Sequence, residues 1–366
     1  MADLRRSPLL DWTLLAPPVA LVVLLLTWGQ HIPVWLACVL ALVLAAAVLA
    51  AVHHAEVVAH RVGEPFGSLV LAVAVTVIEV ALIVTLMISG GADTASLARD
   101  TVFAAVMITT NGIVGISLLV GALRYGLVEF NPEGTGSALA TLATLSALSL
   151  VLPTFTHSVQ GPEFSPGQLT FAALASLALY GLFVFTQTGR HRDFFLPVAA
   201  PDAPDTSGDH SDPPTTRAAL LGLGLLLVAL VDVVGLAKVE SHSIESAIAA
   251  VGFPASFVGV VIALMVLAPE TLAATRAARR QRLQISLNLG YGSAMASIGL
   301  TIPAIAVASL WLQGPLLLGL GSTQLVLLTL TVLVSILTVV PGRATRLQGG
   351  VHLVLLAAFL FLAVNP

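Results

Sequence analysis

The run Leu69-Val70-Leu71-Ala72-Val73-Ala74-Val75-Thr76-Val77-Ile78-Glu79-Val80-Ala81-Leu82-Ile83 is apolar except at Thr76 and Glu79. With its apolar flanks it is long enough to cross a bilayer, which takes about 20 residues of α-helix. An ionised carboxylate at the centre of such a span costs at least ~2.5–3.5 kcal/mol on insertion scales. Glu79 is therefore expected to face the interior of a helix bundle and to have a task there. The plainer reading is a protonated glutamate making one interhelical hydrogen bond.

The rest of the chain has the same character. Of its 366 residues, 57% are hydrophobic and only 9% are charged, and mean hydropathy is +1.01. A soluble domain carries roughly 25% charged residues to solvate its surface, so a water-soluble fold is excluded. Membrane β-barrel strands alternate apolar and polar residues, and these long apolar runs do not. The expected fold class is an all-α polytopic membrane protein. The net charge of −4 without a basic tract gives no sign of nucleic-acid binding. The single cysteine, Cys38, allows no intrachain disulfide. Neither G-x-x-x-x-G-K-[ST] nor H-E-x-x-H occurs, so there is no phosphate-binding loop for an ATP-driven pump and no zincin motif.

Eleven spans are expected, near 13–29, 34–53, 66–88, 101–122, 136–152, 168–188, 217–237, 250–268, 286–311, 316–340 and 347–364. Pro17-Pro18 interrupt the first apolar run and no small-x-small site follows it, so it reads as a retained span and not as a signal peptide. Each span reverses the side of the next loop. With the N-terminus inside, thirteen of the fifteen Lys and Arg residues become cytoplasmic, and only Arg99 and Lys238 fall outside. Segment 189–216 interrupts the spans with five aspartates and the prolines Pro201, Pro204, Pro213 and Pro214. Such composition cannot pack a core. It reads as a flexible cytoplasmic linker, with a weak cation-sensing segment as the alternative.

A second glutamate ends the run Val260-Val261-Ile262-Ala263-Leu264-Met265-Val266-Leu267-Ala268-Pro269-Glu270. By itself Glu270 could be the first cytoplasmic residue after a span. The two halves of the chain argue otherwise. Phe66 precedes Glu79 by thirteen residues and Phe257 precedes Glu270 by thirteen, each aromatic following a proline (Pro65, Pro254). The two runs cross in opposite directions, the pattern of inverted repeats that place a substrate site near the midplane. Pro269 is expected to break its helix and free carbonyl oxygens for a cation. The expected organisation is an N-terminal helix (1–33), a first five-helix repeat (34–188, core about 63–122), the linker, and a second five-helix repeat (217–366, core about 252–311). Small and polar residues follow in each repeat: Thr109-Thr110-Asn111-Gly112 in the first, Asn288-Leu289-Gly290-Tyr291-Gly292-Ser293 in the second. Most of the glycines read as helix packing. Asn111, Asn288, Ser293 and Thr76 are candidate oxygen ligands. Hard oxygen donors suit Ca²⁺, Na⁺ or H⁺ and not a soft metal. Glu56 and Glu64, near the cytoplasmic mouth of the third span, read as loop carboxylates or an entry relay. Asp232 reads as lining an outer vestibule or as snorkelling.

These residues carry a resemblance. Gly63-Glu64-Pro65-Phe66-Gly67-Ser68-Leu69 with Val75-Thr76-Val77-Ile78-Glu79 is similar to the first α-repeat of the bacterial ChaA-type calcium/proton antiporters. Leu267-Ala268-Pro269-Glu270, Asn288-Leu289, Gly292-Ser293-Ala294 and Gly299-Leu300-Thr301-Ile302-Pro303 are similar to the second. Those antiporters belong to the calcium/cation antiporter superfamily, and the likeness runs over essentially the whole chain. It implies a sodium/calcium exchanger-like fold in the bacterial inner membrane, with a periplasmic C-terminus. It also implies a cation site between the repeats with Glu79 and Glu270 as central ligands and proton carriers. Ca²⁺, Na⁺, K⁺ and H⁺ are the implied transported ions, with no cofactor. Many calcium exchangers have Gly-Asn shortly before each repeat glutamate; here Thr76 or Val77 and Ala268-Pro269 stand there, as in the ChaA type.

Charge arithmetic points the same way without the resemblance. Two buried carboxylates carry −2, and burying unpaired charge costs several kcal/mol each. One Ca²⁺, two protons, or one monovalent cation with one proton all make such a site neutral. If only neutral forms occlude and turn over, exchange is obligatory. A cation channel and a membrane-embedded enzyme are the alternatives, but no repeated pore loop, charged ring or assembled His/Asp or Ser/Lys set appears in the sequence. The expected sidedness has a direct test. A cysteine replacing Ser207, with Cys38→Ser, should react with a membrane-impermeant maleimide only after cells are opened. Labelling of intact cells from outside would contradict the topology.

Overall fold

The computed structural model describes residues 12–30, 32–63, 66–90, 94–189, 191–197, 214–311 and 314–366. Eleven apolar helices follow one another: α1 (Trp12–Thr27), α2 (Val34–Val62), α3 (Phe66–Gly90), α4 (Leu97–Tyr125), α5 (Pro132–Phe155), α6 (Pro166–Thr188), α7 (Thr216–Ala250), α8 (Phe257–Arg279), α9 (Leu283–Ala308), α10 (Ser322–Val339) and α11 (Arg346–Val364). All but the 16-residue α1 are long and apolar enough to cross a membrane. In hydrocarbon a helix satisfies each backbone N–H and C=O within its own segment, which is why apolar runs of this length become helices. A two-residue clip pairs Val128–Glu129 (β1) antiparallel with Arg343–Ala344 (β2).

The helices form two compact units, each discontinuous in sequence. One holds α1, α2, α3 and most of α7; the other holds α4–α6 and α8–α11. In the first unit α2 packs on both α1 and α3. His54 Nε2 lies 2.8 Å from the Thr13 carbonyl, joining α2 to α1, and Arg61 donates to the Thr216 hydroxyl at 3.0 Å where α7 begins. A Cβ on Gly235 would crowd the Leu24 side chain, so glycine lets α7 and α1 approach closely with Leu24 in its present rotamer.

In the second unit α4 is the central helix, packed against α8 and α11, while α9 packs on α6, α8 and α5. Two helices widen locally to π geometry, α4 at Ile108–Ile113 and α5 at Ala147–Val151. The second widening precedes Pro153, which has no N–H to offer the carbonyl four residues back. Asn131 starts α5 by accepting from the Glu133 and Gly134 amides at 2.9 and 3.1 Å, a side-chain N-cap with Pro132 in the first turn.

Several expected boundaries change. The second span continues to Val62, through His53, His54 and Glu56, and the seventh runs to Ala250. The tenth starts at Ser322, after non-helical residues Pro315–Gly321. The largest correction is at the eighth. Its helix covers 257–279 and not 250–268, because Gly252 (φ 80°) and Pro254 end the preceding helix and Phe257 begins the next. Pro269 therefore sits inside a continuous helix and does not break it. The start of the expected flexible linker is anchored: Arg192–Phe195 forms a 3₁₀ turn and buried Phe195 meets Phe183 edge to face at 5.7 Å. Two aromatics in an otherwise polar segment supply the apolar area that docks it. Residues 198–213 lie outside the described residues.

A close contact in the second unit gives a stability prediction. A Cβ on Gly259 would fall 2.7 Å from the Thr101 backbone nitrogen, where α8 crosses α4, whereas one on Gly292 meets nothing within 4 Å. Gly259→Ala is expected to destabilise the protein by about 1–3 kcal/mol through overpacking. Gly292→Ala should leave the melting temperature in detergent at or above that of the parent.

Candidate cation site

The two repeat glutamates occupy matching places in their own helices. Phe66 and Glu79 lie in the continuous helix α3, and Phe257 and Glu270 in the continuous helix α8, each pair thirteen residues apart. At 1.5 Å per residue each glutamate lies about 20 Å along the helix axis from its phenylalanine. On α3, Val75, Thr76, Ile78, Glu79, Leu82 and Ile83 are buried while Val73 and Val77 are exposed. Thr76 and Glu79, three residues apart, share the inward face. Glu79 is 4% exposed. On α8, Val266 and Leu267 are buried and Glu270 is half-buried. Pro269 leaves the carbonyl four residues earlier, that of Met265, without its helical N–H partner, and the Thr271 hydroxyl donates to the Leu267 carbonyl at 2.8 Å.

The two asparagines are engaged elsewhere. Asn111 is fully buried in the π segment of α4, donating through Nδ2 to Thr331 at 2.9 Å, with Oδ1 3.1 Å from His352 Nδ1. His352 Nε2 in turn lies 3.2 Å from the Thr338 hydroxyl. The result is a buried chain of side chains joining α4, α10 and α11. Asn288 donates to the Phe195 carbonyl at 2.7 Å and accepts from Gln284 at 2.9 Å, which secures the anchored turn after α6. Both amides therefore hold helices and segments together in this state. Ser293, one residue from open Gly292, is half-buried on α9.

The expected relay residues also separate. Glu56 is exposed on α2, and Glu64 lies outside the described residues. Asp232 is fully buried on α7, and neither carboxylate oxygen has a hydrogen-bond partner among the described residues. It does not snorkel, because the buried face of α7 carries it inward with Ala229, Val233 and Leu236. Four buried residues with an ionisable carboxyl or imidazole were missed in the sequence: His352, Glu240, His54 and Asp100. The signal was present for the first two, each an ionisable residue in an apolar helix, the same cue that singled out Glu79. Asp100 is accounted for by its partners, Arg99 and the Ser96 hydroxyl at 2.8 Å and Gln324 at 3.4 Å. Arg99, Asp100 and Gln324, with Phe103 and Leu327, line a cavity of about 300 Å³ in the second unit. A carboxylate already paired in this way holds no uncompensated charge for a cation.

Ten helices long and apolar enough to cross a membrane, among the described residues, define a multi-pass membrane protein. The sodium/calcium exchanger protein family matches residues 18–189 and 221–365, and the chain belongs to it. It is 44% identical to the putative ionic transporter y4hA of Sinorhizobium fredii over 358 residues, 97% of this chain and 96% of that one. It is 35% identical to the sodium-potassium/proton antiporter ChaA of Escherichia coli K12 over 354 residues, 96% and 95% of the two chains. Its fold is similar to that of the H⁺/Ca²⁺ exchanger CAX, with a TM-score of 0.70 at 17% identity, covering 95% of this chain and 87% of that one. The protein is a multi-pass membrane cation/proton antiporter of the calcium/cation antiporter superfamily, a secondary transporter and not an enzyme. Its substrates are inorganic cations and protons.

The Asn111 chain has a measurable consequence. Asn111→Leu removes both polar groups that Thr331 and His352 use and leaves those partners buried, at a cost of about 1–3 kcal/mol for each one left unsatisfied. A lower melting temperature in detergent is expected; an unchanged one would show that the chain contributes nothing to stability.

Proposed function

We propose that the protein exports Ca²⁺, together with Na⁺ or K⁺, in exchange for protons, by alternating access at a site whose central ligands are Glu79 and Glu270. The observation that carries this reading is the shared register: each glutamate follows a phenylalanine by thirteen residues within one continuous helix. Four helices separate α3 from α8, so an N-terminus inside the cell makes the two run in opposite directions across the membrane. Thr76, on the same face as Glu79, and Ser293 supply hydroxyl oxygens. Asn111 and Asn288 act by holding α4 and α9 in place. In this reading the N-terminus and the 189–216 segment are cytoplasmic and the C-terminus is outside, in the periplasm of a bacterial inner membrane.

The mechanism follows from neutrality. With both carboxylates ionised the site carries −2, which a low-dielectric interior does not tolerate unpaired. One Ca²⁺ neutralises it, and so do two protons, or one Na⁺ or K⁺ with one proton. The doubly charged empty form cannot occlude, so a cation leaves only when protons or another cation replace it. Protons and cations compete for the same oxygens, and the titration belongs to the pair and not to either glutamate alone. Cation loading therefore falls as pH drops and rises as the pair gives up its protons. Ca²⁺ takes six to eight oxygens at about 2.3–2.6 Å. Thr76 and Ala268-Pro269 supply fewer fixed oxygens than the Gly-Asn pairs of strict calcium exchangers. Water completes the shell and selectivity relaxes toward monovalent ions. The name of the relative ChaA, a sodium-potassium/proton antiporter, supports that breadth.

Everted membrane vesicles with an imposed pH gradient test the reading. Glu79→Gln and Glu270→Gln are each expected to abolish cation-driven proton flux at normal membrane abundance, and aspartate at either place to retain part of it. The parent should exchange Ca²⁺ and either Na⁺ or K⁺, faster at alkaline pH. Near-normal flux in either glutamine variant would overturn the two-glutamate site. Ca²⁺ exchange indifferent to millimolar Na⁺ and K⁺ and fastest at acidic pH would overturn the selectivity and pH argument.

A further inference from the structure

Helix α7 carries two buried carboxylates that the cation site does not use. Asp232 is 0% exposed and Glu240 1% exposed. Among the described residues, neither Asp232 oxygen has a hydrogen-bond partner, nor does Oε1 of Glu240. Both lie on the buried face of α7, with Leu226, Ala229, Val233, Leu236 and Ala237. Eight residues separate them, about 12 Å along the helix axis. A carboxylate buried without a donor is stable only when its charge is neutralised, by a proton or by a cation.

Among the described residues of this unit, α1 has no titratable residue, α2 has Cys38, His53, His54, Glu56, His60 and Arg61, and α3 has Glu79. α7 itself carries Arg217, Lys238, His242 and Glu245. His54 is held by the Thr13 carbonyl and Arg61 by Thr216. The Lys238 ammonium lies over the Trp28 ring, 5.2 Å from its centre. The nearest cation in sequence is thus committed to an aromatic face. A divalent cation is a poor fit for either carboxylate alone, because two single carboxylates two helical turns apart do not make a shell of six to eight oxygens. A proton needs only one oxygen.

We propose that Asp232 and Glu240 form a proton-loading path on the outer half of α7, separate from the cation ligands, that delivers protons to Glu79 in the same compact unit. The proposal rests on the antiport reading and on the orientation given above, in which the C-terminal half of α7 faces outward. Direct transfer needs hydrogen-bond reach or one bridging water, so a proton from outside binds the Glu240 carboxylate, crosses to the deeper Asp232 carboxylate along entering water and leaves it again, through water, for Glu79. Each carboxylate ends the cycle as it began, and one proton enters per passage. Protons then reach the cation site without passing through the cation's own entrance, so cation and proton do not block one another on the outer side.

The test separates proton coupling from cation binding. Full-length protein is reconstituted into liposomes and assayed in two modes, with ⁴⁵Ca²⁺ and with ²²Na⁺ as probes. Self-exchange of each ion at equal pH on both sides needs only the cation site. Uptake driven by a pH gradient needs proton delivery as well. Asp232→Asn is expected to keep self-exchange within about twofold of the parent and to lose pH-driven exchange at least tenfold. Glu240→Gln is expected to weaken pH-driven exchange less and to recover as the proton-supplying side is made more acidic. Parent-like pH-driven exchange in Asp232→Asn would overturn the proposal. So would loss of both modes in protein that melts normally, which would assign Asp232 to the cation site or to packing. Should Asp232→Asn fail to fold, Glu240→Gln decides in the same assay, and a parent-like pH profile there overturns the path. Glu79→Gln is the separate control: if it retains self-exchange, the two-glutamate reading fails whatever Asp232 does.

Discussion

Hydrocarbon gives a carboxylate neither water nor a counter-ion, and an uncompensated charge there costs several kcal/mol. That constraint organises this molecule. Backbone groups meet it by closing into helices, which is why eleven apolar helices and only a two-residue strand pair make up the described fold. Side-chain charges meet it in different ways. Asp100 is neutralised by Arg99 beside it, whereas Asp232 has no protein partner among the described residues. The first arrangement is static. A carboxylate with no fixed partner takes its neutralising charge from solution.

The second unit shows how polar groups are used for packing when no ion is involved. The Asn111, His352, Thr338 and Thr331 chain is buried and joins three helices. It passes through the π segment of α4, where the helix has already departed from regular spacing. Thr109 and Thr110 return their hydroxyls to carbonyls of the preceding turn, as Ser and Thr commonly do inside membrane helices. Such bonds tie α4 to its neighbours where lipid supplies no hydrophobic drive for helices to associate. The same economy appears at Gly259 and Gly235, where the missing side chain lets backbones or an opposing leucine come close.

Much of this was legible in the sequence, and the reason differs from feature to feature. Membrane residence, helix number and the inward burial of Glu79 followed from composition and run length, because a charge in a long apolar run must turn away from lipid wherever the helix packs. The spacing from Phe66 to Glu79 and from Phe257 to Glu270 was visible as a number. That Phe257 begins its helix needed the backbone, since Gly252 and Pro254 end the preceding helix by geometry that hydropathy does not register. Pro269 was misjudged for a related reason: proline removes one hydrogen bond, and whether the helix survives depends on what packs around it. Asn111 and Asn288 looked like ligands because an amide oxygen suits a hard cation. Their actual partners, His352 and the Phe195 carbonyl, lie 241 and 93 residues away in the chain, and no local pattern encodes such a pairing. The sequence by itself determined which residues are too polar for the membrane. Only the tertiary structure decided which of them found partners, because hydrogen bonds and ion pairs depend on distances between helices, and hydropathy along one helix carries no information about those.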